Sequence, residues 1–247
     1  MGFLAGFTGA QIALAVFATL GAAFIRGLTG FGFGILLVPV LALTLTPVEA
    51  VLAINIMAGL LALTELRMIV RSAEGSAIVI GALVVVGTAP GLYLLSLTPP
   101  DAARLLIALV ALSAFIAVML PQRGAEQPGA LATGATGISA GLLTGFAAMP
   151  GPPVVPYYVG RAIDRKVAKA SMVGVFGVAS VAGIASGAAL GVLTSDLALL
   201  GLSLFPLVLL GNWLGALAFG KVSDTLWRSV VGVVLGAAAL AALVRLI

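Results

Sequence analysis

Arg26-Gly27-Leu28-Thr29-Gly30-Phe31-Gly32-Phe33-Gly34-Ile35-Leu36-Leu37-Val38-Pro39 is the stretch on which the fold turns. Arg26 is the first charged residue of the chain, and the next is Glu49. A cation inside a bilayer costs about 2.5–3.5 kcal/mol on insertion scales, so it is kept where it has a partner or a task. Glycines on alternate residues suit a helix badly. They interrupt it and leave backbone N–H groups free to point inward. Both features suit an anion. Plainer readings stand beside this one: the glycines serve as packing notches, and Arg26 either snorkels to an interface or pairs with Glu49 or Glu65.

Composition sets the class. The chain has 247 residues, 62% of them hydrophobic and 8% charged, with mean hydropathy +1.28. Soluble domains carry about 25% charged residues. The uncharged runs 76–100, 127–160, 170–195 and 197–220 are each long enough for at least one span. The expected fold class is therefore an all-α polytopic membrane protein. The net charge of +4 does not point to nucleic acid, because the basic residues sit in short loops between apolar runs, where they set topology. With no cysteine and no histidine, thiol chemistry is excluded and the commonest metal ligand and proton shuttle are absent. No cofactor and no metal are expected. Residues 2–25 read as a retained span rather than a cleaved signal.

The polar segment Pro121–Pro128 divides the chain into halves that resemble each other. Leu28-Thr29-Gly30-Phe31 returns as Leu143-Thr144-Gly145-Phe146, and Val38-Pro39 as Val155-Pro156. Gly87/Gly91 with Arg104 matches Gly211/Gly215 with Arg228 at one constant offset. Three matches in one order indicate duplication, with one membrane repeat over 1–121 and another over 122–247. Each half is expected to open with a broken hairpin, about 9–45 and 129–160. Three helices follow: 48–66, 76–97 and 102–120, then 167–193, 197–219 and 226–246. Asn55 and Asn212 lie in apolar spans and need hydrogen-bond partners; interhelical bonding is the first reading for each and ligand contact the second. Trp213 reads as interior packing and Trp227 as an interfacial anchor.

Charge decides whether each broken pair crosses once or dips in and returns. A re-entrant hairpin puts Arg67, Arg71, Arg123, Arg161, Arg165, Lys166, Lys169, Lys221 and Arg228 on one side, leaving Arg104 and Arg245 opposite and Arg26 inside. A single crossing splits them more evenly. Cytoplasmic loops carry the excess of Lys and Arg, so the hairpin is preferred. A hairpin plus three crossings is an odd number of passages, so the repeats have inverted topology, a common transporter design. Both termini are then extracytoplasmic, and the membrane is the cell inner (plasma) membrane. The ligand belongs at the hairpin tips, where helix ends offer N–H groups and partial positive charge. The candidate site is Arg26, Thr29, Gly30, Phe31 and Gly32 from the first tip with Thr144, Gly145, Phe146, Met149 and Gly151 from the second.

Gly27-x-x-Gly30-Phe31-Gly32-Phe33-Gly34…Val38-Pro39, echoed by Thr144-Gly145-Phe146…Pro150-Gly151-Pro152-Pro153-Val154-Val155-Pro156, resembles the paired signature of the sulfite exporter TauE/SafE family, also called the toluene sulfonate uptake permease family. The resemblance covers essentially the whole chain. It implies a permease for sulfur-containing anions such as sulfite, sulfoacetate and other sulfonates. It places the tips at Gly27, Gly30, Gly32, Gly34 and Pro39, and at Gly145, Pro150, Gly151 and Pro156. The second tip departs from a glycine-rich pattern with Ala147-Ala148-Met149-Pro150.

The expected function is transport by alternating access around the tips, with an anion channel on the same scaffold as the alternative. A membrane enzyme needs clustered carboxylates, histidines or a metal site, and eight scattered acidic residues do not supply one. The expected partners are a small sulfur-containing anion and the lipid bilayer. A homodimer is compatible with the glycine-rich faces.

Overall fold

The computed structural model describes residues 9–119, 128–159, 161 and 163–218. Among these the chain forms ten α-helices and no strand: α1 Gly9–Thr29, α2 Phe33–Leu41, α3 Pro47–Thr64, α4 Leu66–Ser72, α5 Ser76–Leu97, α6 Pro100–Met119, α7 Ala130–Ala147, α8 Gly151–Val159, α9 Arg165–Ala189 and α10 Ser195–Ala218. Six of them (α1, α3, α5, α7, α9 and α10) are long and apolar enough to cross a membrane. Large apolar side chains such as Phe17, Ile78 and Leu131 stand exposed on the outer faces, as a lipid solvent allows. The protein is a multi-pass helical membrane protein. The span expected at 226–246, with Trp227 and Arg228, lies outside the described residues.

The first break is set by glycine. Gly30 and Gly32 hold φ of 85° and 92°, the left-handed region that costs other residues roughly 1–2 kcal/mol. The Gly30 N–H closes α1 on the Arg26 carbonyl at 2.6 Å. From there α2 runs back along α1, so that Leu41 and Leu45 line one apolar cavity with Ile12 and Val16 near the start of α1. Arg104 of α6 secures that end, donating from Nε to the Ala42 carbonyl (2.6 Å) and from Nη2 to the Leu45 carbonyl (3.4 Å). Its cation complements the negative end of α2. A reciprocal cap then opens α3: the Glu49 N–H donates to Thr46 Oγ1 and the Thr46 N–H to Glu49 Oε2.

The second break is built differently. The Met149 N–H reaches back to the Leu143 carbonyl at 3.1 Å, which closes α7 in the manner of a Schellman turn. Ala148 carries the left-handed turn at φ 49°, the only non-glycine residue with positive φ among those described. Pro152 and Pro153 then sit in the first turn of α8, where a missing N–H costs nothing.

Helix packing is reciprocal. α1 packs on α10 in the same residue order, Gly211 over Leu20 and Ala23, and Gly215 over Phe24 and Leu28. α7 packs on α5 likewise, Gly137 against Ile80 and Leu83, and Gly145 against Thr88 and Leu92. α3 and α9 meet in opposite order, with Leu52 at Gly187, Asn55 at Gly183 and Ala62 at Gly177. Small residues let these backbones approach, which is what holds helices together where lipid removes the hydrophobic drive. Trp213 is corrected by the same packing. It is 57% exposed, because Gly211 and Gly215 face α1 and a residue two positions from each points to the opposite side.

Candidate functional site

The two breaks touch. A Cβ on Gly34 would overlap the Ala148 carbonyl, with the Met149 side chain in ordinary contact beside it, and Gly151 faces the Ile35 side chain. Between them lies a cavity of about 50 Å³. At roughly 10–15 Å³ for one water, that is room for a few waters or one small oxyanion. Phe31, Gly32 and Gly34 line it from the first tip, and Met149, Pro150 and Gly151 from the second. The first turns of α2 and α8 therefore open on the same space, and N–H groups of a first turn have no acceptor within their own helix.

Arg26 lines the cavity and is 7% exposed, but it is not alone. Nη2 meets Glu65 Oε2 at 2.5 Å, Nη1 lies 3.4 Å from Oε1, and Nη1 also donates to Asn212 Oδ1 at 2.9 Å. Of the two acidic partners open in the sequence, Glu65 holds it, while Glu49 caps α3. The pair is neutral overall, so the N–H groups of the tips carry more of the positive potential than a lone guanidinium would leave to them. The aliphatic stem of Lys169 lies against Gly30, 3.6–3.7 Å from where a Cβ would stand.

Of the other expected site residues, Phe31, Gly32, Met149 and Gly151 line the cavity. Gly30 shapes the turn behind it. Thr29 ends α1, and its side chain lies outside what the structure describes. Thr144 is buried and donates its hydroxyl to the Ala140 carbonyl at 2.6 Å. Gly145 is pressed onto α5, and Phe146 packs against the main apolar core. These three support the tip from behind. The lining also includes Asn55 of α3, read in the sequence first as an interhelical hydrogen-bonding residue, and Phe176 and Ser180 of α9, which no motif singles out. Among the described residues, no three His, Cys, Asp or Glu side chains are grouped to hold a metal.

A second polar cluster fastens the far end of α8. Arg161 donates to Glu74 and stacks over Tyr157 and Tyr158 at 5.4 and 5.9 Å. Ser76 donates to Glu74 and meets the Tyr158 hydroxyl at 2.8 Å. Burial pushes the Glu74 carboxyl up, but hydrogen bonds from Arg161 and Ser76, with the Arg161 charge, outweigh it and hold the carboxyl below its ordinary value.

The model of the family described as Sulfite exporter TauE/SafE matches residues 12–242. The chain belongs to the TauE/SafE family. The match runs through both tips and both halves, so this TauE/SafE protein is a membrane exporter of the sulfite and sulfur-anion class, and its family consists of transporters rather than enzymes. Searches of curated proteins and of solved structures found no match.

Proposed function

We propose that this TauE/SafE protein carries sulfite or a small organosulfonate of the sulfoacetate type, bound between the two tips. One observation carries the reading: a single cavity is bounded by both breaks and by Arg26. The oxyanion accepts hydrogen bonds from the first turns of α2 and α8. Gly30 and Gly32 let the backbone approach it, and Arg26 contributes positive charge shared with Glu65. Phe31 and Met149 exclude water and meet any organic portion. Thr29 completes the first tip, and Thr144, its hydroxyl held by the Ala140 carbonyl, braces the second from behind.

In this reading the hairpins 9–45 and 129–160 are re-entrant and the repeats 1–121 and 122–247 are inverted. The packing supports it. α1 follows the order of α10 and α7 that of α5, whereas the equivalent helices α3 and α9 run in opposite order. Alternating access is a rocking of one repeat against the other about the cavity. Both termini are then extracytoplasmic, and the cation-rich loops face the cytoplasm.

Purified protein in liposomes should carry sulfite with saturation and counterflow. Gly32→Leu fills the cavity and strains φ 92°, so flux should fall by about tenfold or more. Flux without saturation or counterflow would make it a channel. No sulfite or sulfoacetate flux at all would end the proposal.

A further inference from the structure

Two buried side-chain polar atoms among the described residues have no hydrogen-bond partner: Thr19 Oγ1 and Asn55 Nδ2. Only Asn55 belongs to a residue that lines the tip cavity. It sits mid-way along α3, 3% exposed, in a chain that spends very few polar groups on its interior. An amide donor buried without an acceptor is costly and is normally satisfied by something. Its place is made by α9: a Cβ on Gly183 would come within 2.5 Å of Nδ2 and 2.7 Å of Cγ. Ser180, one turn away on α9, lines the same cavity and already donates its hydroxyl to the Phe176 carbonyl at 2.9 Å.

We infer that Asn55 is a substrate-binding residue, whose amide N–H donates to an oxygen of the transported sulfur oxyanion from the α3 side, opposite the tips. The inference rests on the tip cavity being the anion site. It adds a third element to that site: the two tips supply backbone donors, and the crossing of α3 and α9 supplies a side chain. A neutral amide recognises an oxyanion by direction without adding charge. This suits a site that must also release its anion. The alternative role, interhelical glue, requires a bond that Nδ2 does not make.

The test compares sulfite affinity by titration calorimetry with melting temperature, on full-length protein in detergent. Asn55→Leu has nearly the same shape and removes the orphan donor. It should melt at or above the wild-type temperature while binding sulfite about tenfold or more weakly, the effect of losing one hydrogen bond to a charged group. Asn55→Asp should bind more weakly still, since a carboxylate faces the anion. If Asn55→Leu does not fold, Asn55→Asp and Asn55→Ala carry the same comparison. Wild-type affinity in whichever variant folds overturns the inference and leaves the cavity standing. A wild-type protein that binds neither sulfite nor sulfoacetate overturns the cavity reading, and the inference with it.

Discussion

Gly145→Leu is expected to prevent stable folding. The Cβ alone would overlap the Thr88 carbonyl and come too close to the Leu92 nitrogen on α5. Those are backbone atoms of a long helix, so no rotamer change relieves the clash. Ordinary overpacking costs about 1–3 kcal/mol because side chains can shift. Here α7 must lift away from α5 along the whole face from Gly137 to Gly145, and the cost should exceed that range. The second tip hangs from the end of α7, so it would be displaced as well. Fluorescence-detected melting and size-exclusion profiles in one detergent report the outcome. A monodisperse variant melting within a few degrees of wild type would mean that the α5–α7 approach is looser than described.

The second large effect separates structure from transport at Arg26. Removing one member of a buried ion pair costs about 3–5 kcal/mol, because the other charge is left uncompensated. Glu65→Met should cost more than Arg26→Met. The Arg26 side chain keeps only 8% of its exposure, so its guanidinium would be left buried without its carboxylate, whereas the Glu65 side chain retains 18% and can reach water. Arg26→Met/Glu65→Met together should recover most of the lost stability, since a buried pair exchanged for apolar side chains is often neutral. Sulfite flux should not recover with it. Melting temperature restored with flux still low assigns Arg26 to the substrate. Both restored would make the pair purely a fastening between α1, α3 and α10.

The spans were legible because uncharged runs of membrane length leave little choice. The tips were legible because alternate glycines and a run of prolines cannot continue a helix. α4 was not foreseen: seven residues carrying Arg67 and Arg71 read as a loop until they pack on α9. The partner of Arg26 was half legible. Thr46-x-x-Glu49 is a capping-box pattern, and giving it full weight would have removed Glu49 and left Glu65. Asn212 required a partner in an apolar span, and that partner is Arg26, 186 positions away in sequence, a contact no local pattern encodes. Thr144 and Gly145 match Thr29 and Gly30 in the repeat. Yet the second break comes three residues later, at Ala148, so the matched pair still faces helix neighbours. Asn55 was visible as an unsatisfied amide, but its place beside the cavity depends on how α3 crosses α9.

Anomalous diffraction at the selenium edge, from crystals of this TauE/SafE protein soaked in selenite as a heavier sulfite analogue, tests the central claim most directly. A single strong peak between Gly32 and Gly151, within hydrogen-bond reach of the α2 and α8 first turns, is the result expected. A peak elsewhere with that cavity vacant, or tips found apart from each other, would contradict the account.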